Sequence, residues 1–118
     1  MARILIVDDA ECMRLLLRDF LFSADHEIVA EATNGIEAVQ LYKLLRPDLV
    51  TMDMTMPKKD GISALKEIRE FDSTAKVIMC SAMGQKQMVL EAILAGAKDY
   101  IVKPFQKEMI LNAIRRAL

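Results

Sequence analysis

The stretch "LVTMDMTMPKKDG", Leu49 to Gly61, decides the fold. A short run of Leu, Val and Met leads into one carboxylate, Asp53, and the chain then breaks at Pro57 and Gly61; no basic residue stands within four positions of the acid. An apolar run this short, bounded by turn residues, reads as a buried strand that presents its terminal carboxylate at a rim. Working outward, "RILIV" and "EIVAEA" precede it and "KVIMC" and "YIV" follow, each succeeded by a segment with helical spacing of apolar residues. The alternation predicts (βα)5. Runs one, three and four are nearly continuous in Ile, Val, Leu and Met, as parallel strands covered on both faces must be. Run two alternates Glu27 and Glu31 with apolar neighbours, which places it at an edge. Right-handed crossovers then give an α/β three-layer sandwich, doubly wound on a parallel five-stranded sheet of order 2-1-3-4-5.

The connecting segments agree. Met13, Leu16, Leu17, Phe20 and Leu21 form one stripe in the first helix, and Leu65 with Ile68 another in the third; both are read as core-facing. Asn34-Gly35 opens the second helix and Pro47 follows its end, while Asp60 caps the third helix and Gly96 ends the fourth. Gly61 is read as permitting a tight loop, and Thr33 with Asn34 as a strand-to-helix turn.

Composition narrows the function. A chain of 118 residues makes one domain, residues 1–118. Its net charge of -1, from 16 basic and 17 acidic residues, supplies no field for nucleic acid or anionic lipid. No apolar run approaches the roughly 18 residues of a membrane span, and "MARILIVDD" lacks the features of a signal peptide, so a cytoplasmic location is expected. Cys12, Cys80 and His26 cannot complete a usual zinc ligand set, and both cysteines are read as buried, reduced thiols.

Ligands of such sheets bind beyond the carboxyl ends of the strands, near the switch between strands one and three. Strand one leads to Asp8 and Asp9, strand three to Asp53, strand four to Ser81 and strand five to Lys103. Singly, an acidic pair is commonly a helix cap or exposed turn, and a strand-end lysine commonly snorkels. Together they converge on one rim. Three carboxylates there repel one another, so one takes a raised pKa unless a hard divalent cation joins them; Mg²⁺ is the natural candidate.

"ILIVDDAECMR", "DLVTMDMTMPKKDG", "VIMCSAMG" and "DYIVKPF" resemble, in order and spacing, the four blocks of a response-regulator receiver domain. The resemblance spans essentially the whole chain and leans toward the stand-alone chemotaxis regulators of that family, which share the flavodoxin-like sheet order. It implies that Asp53 accepts a phosphoryl group from a phosphohistidine on a histidine kinase. Asp9 would bind Mg²⁺ directly, Asp8 largely through water, and the backbone carbonyl of Thr55 would complete the protein ligands. Lys103 would pair with Asp53 or the phosphoryl oxygens. Ser81 would move to the new phosphate and let Tyr100 turn inward, altering a face formed by helix four, strand five and helix five. Gln85, Lys86 and Met88 are candidate contacts on that face, and Lys103-Pro104 resembles the family's cis peptide.

The implied function is a two-component signalling switch that catalyses its own phosphorylation and dephosphorylation without being a conventional enzyme. Its expected partner is the flagellar motor switch, and its expected state a monomer. A phosphorelay intermediate and an isolated receiver of a transcriptional regulator are the alternatives within the family. Thr55 and Met83 stand where the family shapes dephosphorylation, and neither is an amide or acid that orients water, so a slow loss of phosphate is expected. A hydrolase of the haloacid dehalogenase type needs a second acid where Thr55 stands. A flavin carrier needs a phosphate-binding loop where Asp8 and Asp9 would repel an anion.

Overall fold

The computed structural model describes residues 1–118. Five strands alternate with five helices: β1 Arg3–Val7, α1 Glu11–Ser23, β2 Glu27–Ala32, α2 Gly35–Leu45, β3 Leu49–Asp53, α3 Gly61–Phe71, β4 Val77–Ser81, α4 Lys86–Leu94, β5 Asp99–Val102 and α5 Lys107–Ala117. All strands are parallel, in the order β2-β1-β3-β4-β5. The expected doubly wound sheet is thus observed, with β2 at one edge and β5 at the other.

Successive side chains of a strand face opposite layers, and the core divides accordingly. Leu5, Val7, Val50, Met52 and Met79 pack with Leu65 and Ile68 on the α2–α3 side. Ile4, Ile6, Leu49, Ile78 and Cys80 pack with Leu17, Leu21, Ile110 and Ile114 on the α1–α5 side. Both faces of β3 and β4 are covered, which is why their sequences run apolar without alternation. The edge strand β2 shifts register against β1 between Ile4 and Leu5, a bulge that leaves Val29 as the extra residue.

The Asn34 side chain accepts the Glu37 N–H at 2.9 Å, and Asp60 accepts that of Ser63 at 2.8 Å, capping α2 and α3 as expected. Gly96 follows α4 with φ of 103°, the left-handed conformation that favours glycine.

One expectation needs correction. Cys12 is exposed, and only Cys80 is a buried thiol. The inward face of α1 centres on Leu17 and Leu21; at 100° per residue, Cys12 lies well away from that line, and Leu16 also reaches solvent. Gly61 is the first residue of α3, with no positive φ, and it permits the tight loop before that helix by its lack of a side chain. A Cβ there would collide with the carbonyl oxygen of Asp53, so glycine lets the helix abut the strand end.

Candidate functional site

Parallel strands bring their carboxyl ends to one rim, and the hydrogen-bond ladder runs on past them. Asp8 N–H donates to Ala32 O (3.0 Å), Met54 N–H to Cys80 O (3.1 Å) and Lys103 N–H to Ser81 O (2.7 Å). The residues immediately beyond β1, β3 and β5 are therefore as fixed as the sheet itself. Gly61 N–H, donating to Met54 O at 2.9 Å, ties α3 to the same place.

Carboxylate oxygens of Asp8, Asp9 and Asp53 all lie within 4.8 Å of one another. Asp8 and Asp53 are buried, Asp53 to 7% exposure, while Asp9 faces solvent. Lys103 Nζ sits 2.8 Å from Asp8 Oδ2 and 3.2 Å from Asp53 Oδ1, so it bridges two acids, with Asp8 the nearer. The Lys103-Pro104 bond is cis.

Burial, followed by the charge of Asp8, pushes the Asp53 carboxyl up to about 6; the Lys103 ammonium opposes this without cancelling it. Burial also draws the Lys103 pKa down, but hydrogen bonds and charge from Asp8 and Asp53 outweigh it and leave the ammonium firmly protonated. One ammonium thus faces three carboxylates. Every donor in the cluster is a hard oxygen, and the excess negative charge suits a hard divalent cation.

Ser81 lies on β4 beside this cluster, and its buried Oγ has no hydrogen-bond partner. Leaving a buried hydroxyl unpaired costs about 1–3 kcal/mol, an anomaly that an incoming acceptor removes. A cavity of about 490 Å³ runs from Ser81 past Met83 and Gln85 to Tyr100, between α4 and β5. Tyr100 is 42% exposed and Met83 79%. Met88 instead packs against the α2–α3 core, away from the Tyr100 face. Thr55 is exposed in the loop after β3, and its hydroxyl is 3.4 Å from the Gln85 amide Nε2; Gln85 Oε1 also accepts the Ala82 N–H at 2.7 Å.

The sheet thus brings Asp8, Asp9, Asp53, Ser81 and Lys103 to one rim, with Tyr100 at the far end of the adjoining cavity. Sequence reasoning missed the Lys103–Asp8 pair and a contact from Arg14, whose Nη1 donates to the Asp8 carbonyl at 2.7 Å. The spacing of Arg14 from Asp8, six residues across a strand–helix junction, was the available signal.

A doubly wound parallel sheet with clustered aspartates and a lysine at its switch point belongs to the class of α/β domains that bind their ligands beyond the carboxyl ends of the strands. Residues 4–115 match the response regulator receiver domain, and the chain belongs to that family. It is 60% identical over 116 residues to the chemotaxis protein CheY of Bacillus subtilis, covering 98% of this chain and 97% of that one. It is 58% identical over 114 residues to CheY of Thermotoga maritima, covering 97% and 95%. The fold also matches a crystal structure of a CheX-CheY-BeF3-Mg complex from Borrelia burgdorferi, with TM-score 0.91 and 42% identity, covering 95% of this chain and 85% of that chain. No helix of this protein is long and apolar enough to cross a membrane.

Proposed function

We propose that this chain is a receiver that acts as a monomer, takes a phosphoryl group from a histidine kinase onto Asp53 and thereby changes its affinity for a partner. The observation that carries this reading is the convergence of Asp53, its acidic neighbours and Lys103 on one rim, beside a buried, unpartnered Ser81 hydroxyl. The Asp53 oxygen attacks phosphorus, the P–O bond forms as the P–N bond of phosphohistidine breaks, and the departing imidazole takes a proton from water. Such a transfer depends on positioning and charge neutralisation rather than covalent help from other groups.

Asp8, Asp9, Asp53 and the Thr55 carbonyl would hold Mg²⁺, which when bound supplies charge neutralisation at the phosphoryl oxygens. Lys103, already 3.2 Å from Asp53, contributes a second cation. The new group carries about −1.5 to −2 charges and three acceptor oxygens, and the unpartnered Ser81 hydroxyl is the donor nearest in kind. Movement of Ser81 opens the cavity toward Tyr100 and alters the face of α4, β5 and α5. That face exposes Leu90, Ile93, Leu94 and Met109, apolar surface suited to a partner segment. The similarity to chemotaxis proteins supports the flagellar motor switch as that partner. Hydrolysis is slow, because the Gln85 amide is occupied by Thr55 and Ala82 and Met83 brings no polar group.

The test is incubation with a small phosphodonor, with and without Mg²⁺, read by intact mass. Wild-type protein should gain one phosphoryl group only with Mg²⁺, and Asp53→Asn none. Unchanged phosphorylation of the variant overturns the assignment.

A further inference from the structure

Glu31 has no evident use in a half-buried edge strand, and Arg14 no evident use beneath an acidic rim. Together they form a strut. Arg14 Nη1 donates to the Asp8 carbonyl oxygen at 2.7 Å, while its Nε lies 3.2 Å from Glu31 Oε1. Glu31 Oε2 is held in turn by Arg18, 2.6 Å from its Nη2. The Arg14 side chain is only 14% exposed, so this is a seated guanidinium rather than a surface pair.

The location gives the contact meaning. The Asp8 side chain is already fixed, with Oδ1 accepting the Ala10 N–H at 2.9 Å and Oδ2 bound to Lys103. Its N–H is fixed by Ala32. The remaining freedom is rotation of the Asp8–Asp9 peptide plane, which carries the exposed Asp9 carboxylate with it. Arg14 holds that plane by its oxygen, and Glu31 and Arg18 hold Arg14.

We propose that Arg14, braced by Glu31, is a positioning residue that sets the orientation of Asp9 for divalent-cation binding; this rests on the metal-site reading above. A cation bound to the backbone of a metal-site residue should by charge alone weaken metal binding, so deleting it should tighten the site. A residue that orients a ligand has the opposite signature, since removing such support typically weakens metal affinity by about 10- to 100-fold. Lysine keeps the charge but lacks the planar fork that reaches a carbonyl and a carboxylate together.

Calorimetric titration of the full chain with MgCl₂ separates these cases. Arg14→Met and Arg14→Lys should each bind Mg²⁺ about 10-fold more weakly than wild type, and Glu31→Gln about 2- to 3-fold more weakly. The amide of Ala10 should exchange faster with solvent in all three metal-free variants. Unchanged or tighter binding by Arg14→Met, or wild-type binding by Arg14→Lys, overturns the proposal. If Arg14→Met fails to fold, Glu31→Gln decides: unchanged affinity and exchange overturn the strut. A wild-type protein that binds no Mg²⁺ removes the metal-site reading, and this inference with it.

Discussion

Helices α3 and α4 are neighbours on the same face of the sheet and flank the same site, yet they are held very differently. Gly61, Ile62, Ala64, Leu65 and Ile68 of α3 are buried, Asp60 caps it, and its first residue presses on the Asp53 carbonyl. Only Ala92 of α4 is buried, its first turn has no side-chain cap, and the loop before it contains Gly84 at φ of 85°. Local stability follows buried apolar contact, so α3 is the more firmly held of the two, with α4 anchored by Ala92 and by the half-buried Met88 and Val89. The contrast divides the labour. The helix that abuts Asp53 is anchored along its inner face, whereas the helix that walls the cavity between Ser81 and Tyr100 rests on far less buried surface.

The sharpest way to break this comparison is to truncate one apolar residue on each helix. Ile68→Ala should cost about 2–5 kcal/mol in urea unfolding, as a buried large-to-small change does. Leu94→Ala, at a position 80% exposed, should stay within about 0.5 kcal/mol. Equal losses would show that α4 is as firmly held as α3.

Next in size is the junction itself. Gly61→Ala forces a methyl against the Asp53 carbonyl and should destabilise by about 1–3 kcal/mol. A Cβ at Gly84 meets nothing, so Gly84→Ala should cost only the strain of its positive φ, about 1 kcal/mol. A greater loss at Gly84 than at Gly61 would reverse the assignment of rigid and loose sides.

Asp53 tests the rigid side by pH. Its folded pKa of about 6 lies above the unfolded value, so the folded state binds the proton more tightly. Stability of the metal-free protein therefore falls as pH rises from about 4 through 6, and the loss is complete above that window. Asp53→Asn should be more stable than wild type at pH 7.5 by about 1–2 kcal/mol, allowing for solvent reaching the carboxyl, and equal to it near pH 3.5. The advantage should shrink as Mg²⁺ is added. A variant no more stable than wild type at pH 7.5 would show that Asp53 sits in the rim without penalty.

The smallest effect concerns the caps. Asp60→Ala removes the hydrogen bond at the start of α3 and should cost about 1 kcal/mol in thermal or urea unfolding. Lys86→Ala, in the uncapped first turn of α4, should fall within about 0.5 kcal/mol.

Strand order, edges and caps were legible in the sequence because each rests on local patterning. The apolar continuity of β3 and β4, the glutamates of β2, and Asn34 and Asp60 before their helices all carry their meaning within a few residues. The rim residues were legible because each closes a strand. What escaped depended on relations across the fold. Lys103 stands 95 residues from Asp8, and nothing along the chain says that it is nearer to Asp8 than to Asp53. Gly61 was legible as the residue that permits a tight loop, but not the Asp53 carbonyl that packs against it. Cys12 looked buried because cysteine usually is, while the rotation of α1 placed it outward.

The unpartnered hydroxyl of Ser81 has a consequence in entropy. Serine has no second branch at Cβ to restrict χ1, and no hydrogen bond here selects among its three staggered wells. Even equal occupation of three wells, the upper bound, amounts to only roughly RT ln 3, about 0.6 kcal/mol, for an acceptor to remove in fixing it. A hydrogen bond to a charged acceptor returns about 1.5–3 kcal/mol. One such contact therefore outweighs the rotamer entropy it removes, so a single acceptor within reach of Ser81 is enough to fix its hydroxyl.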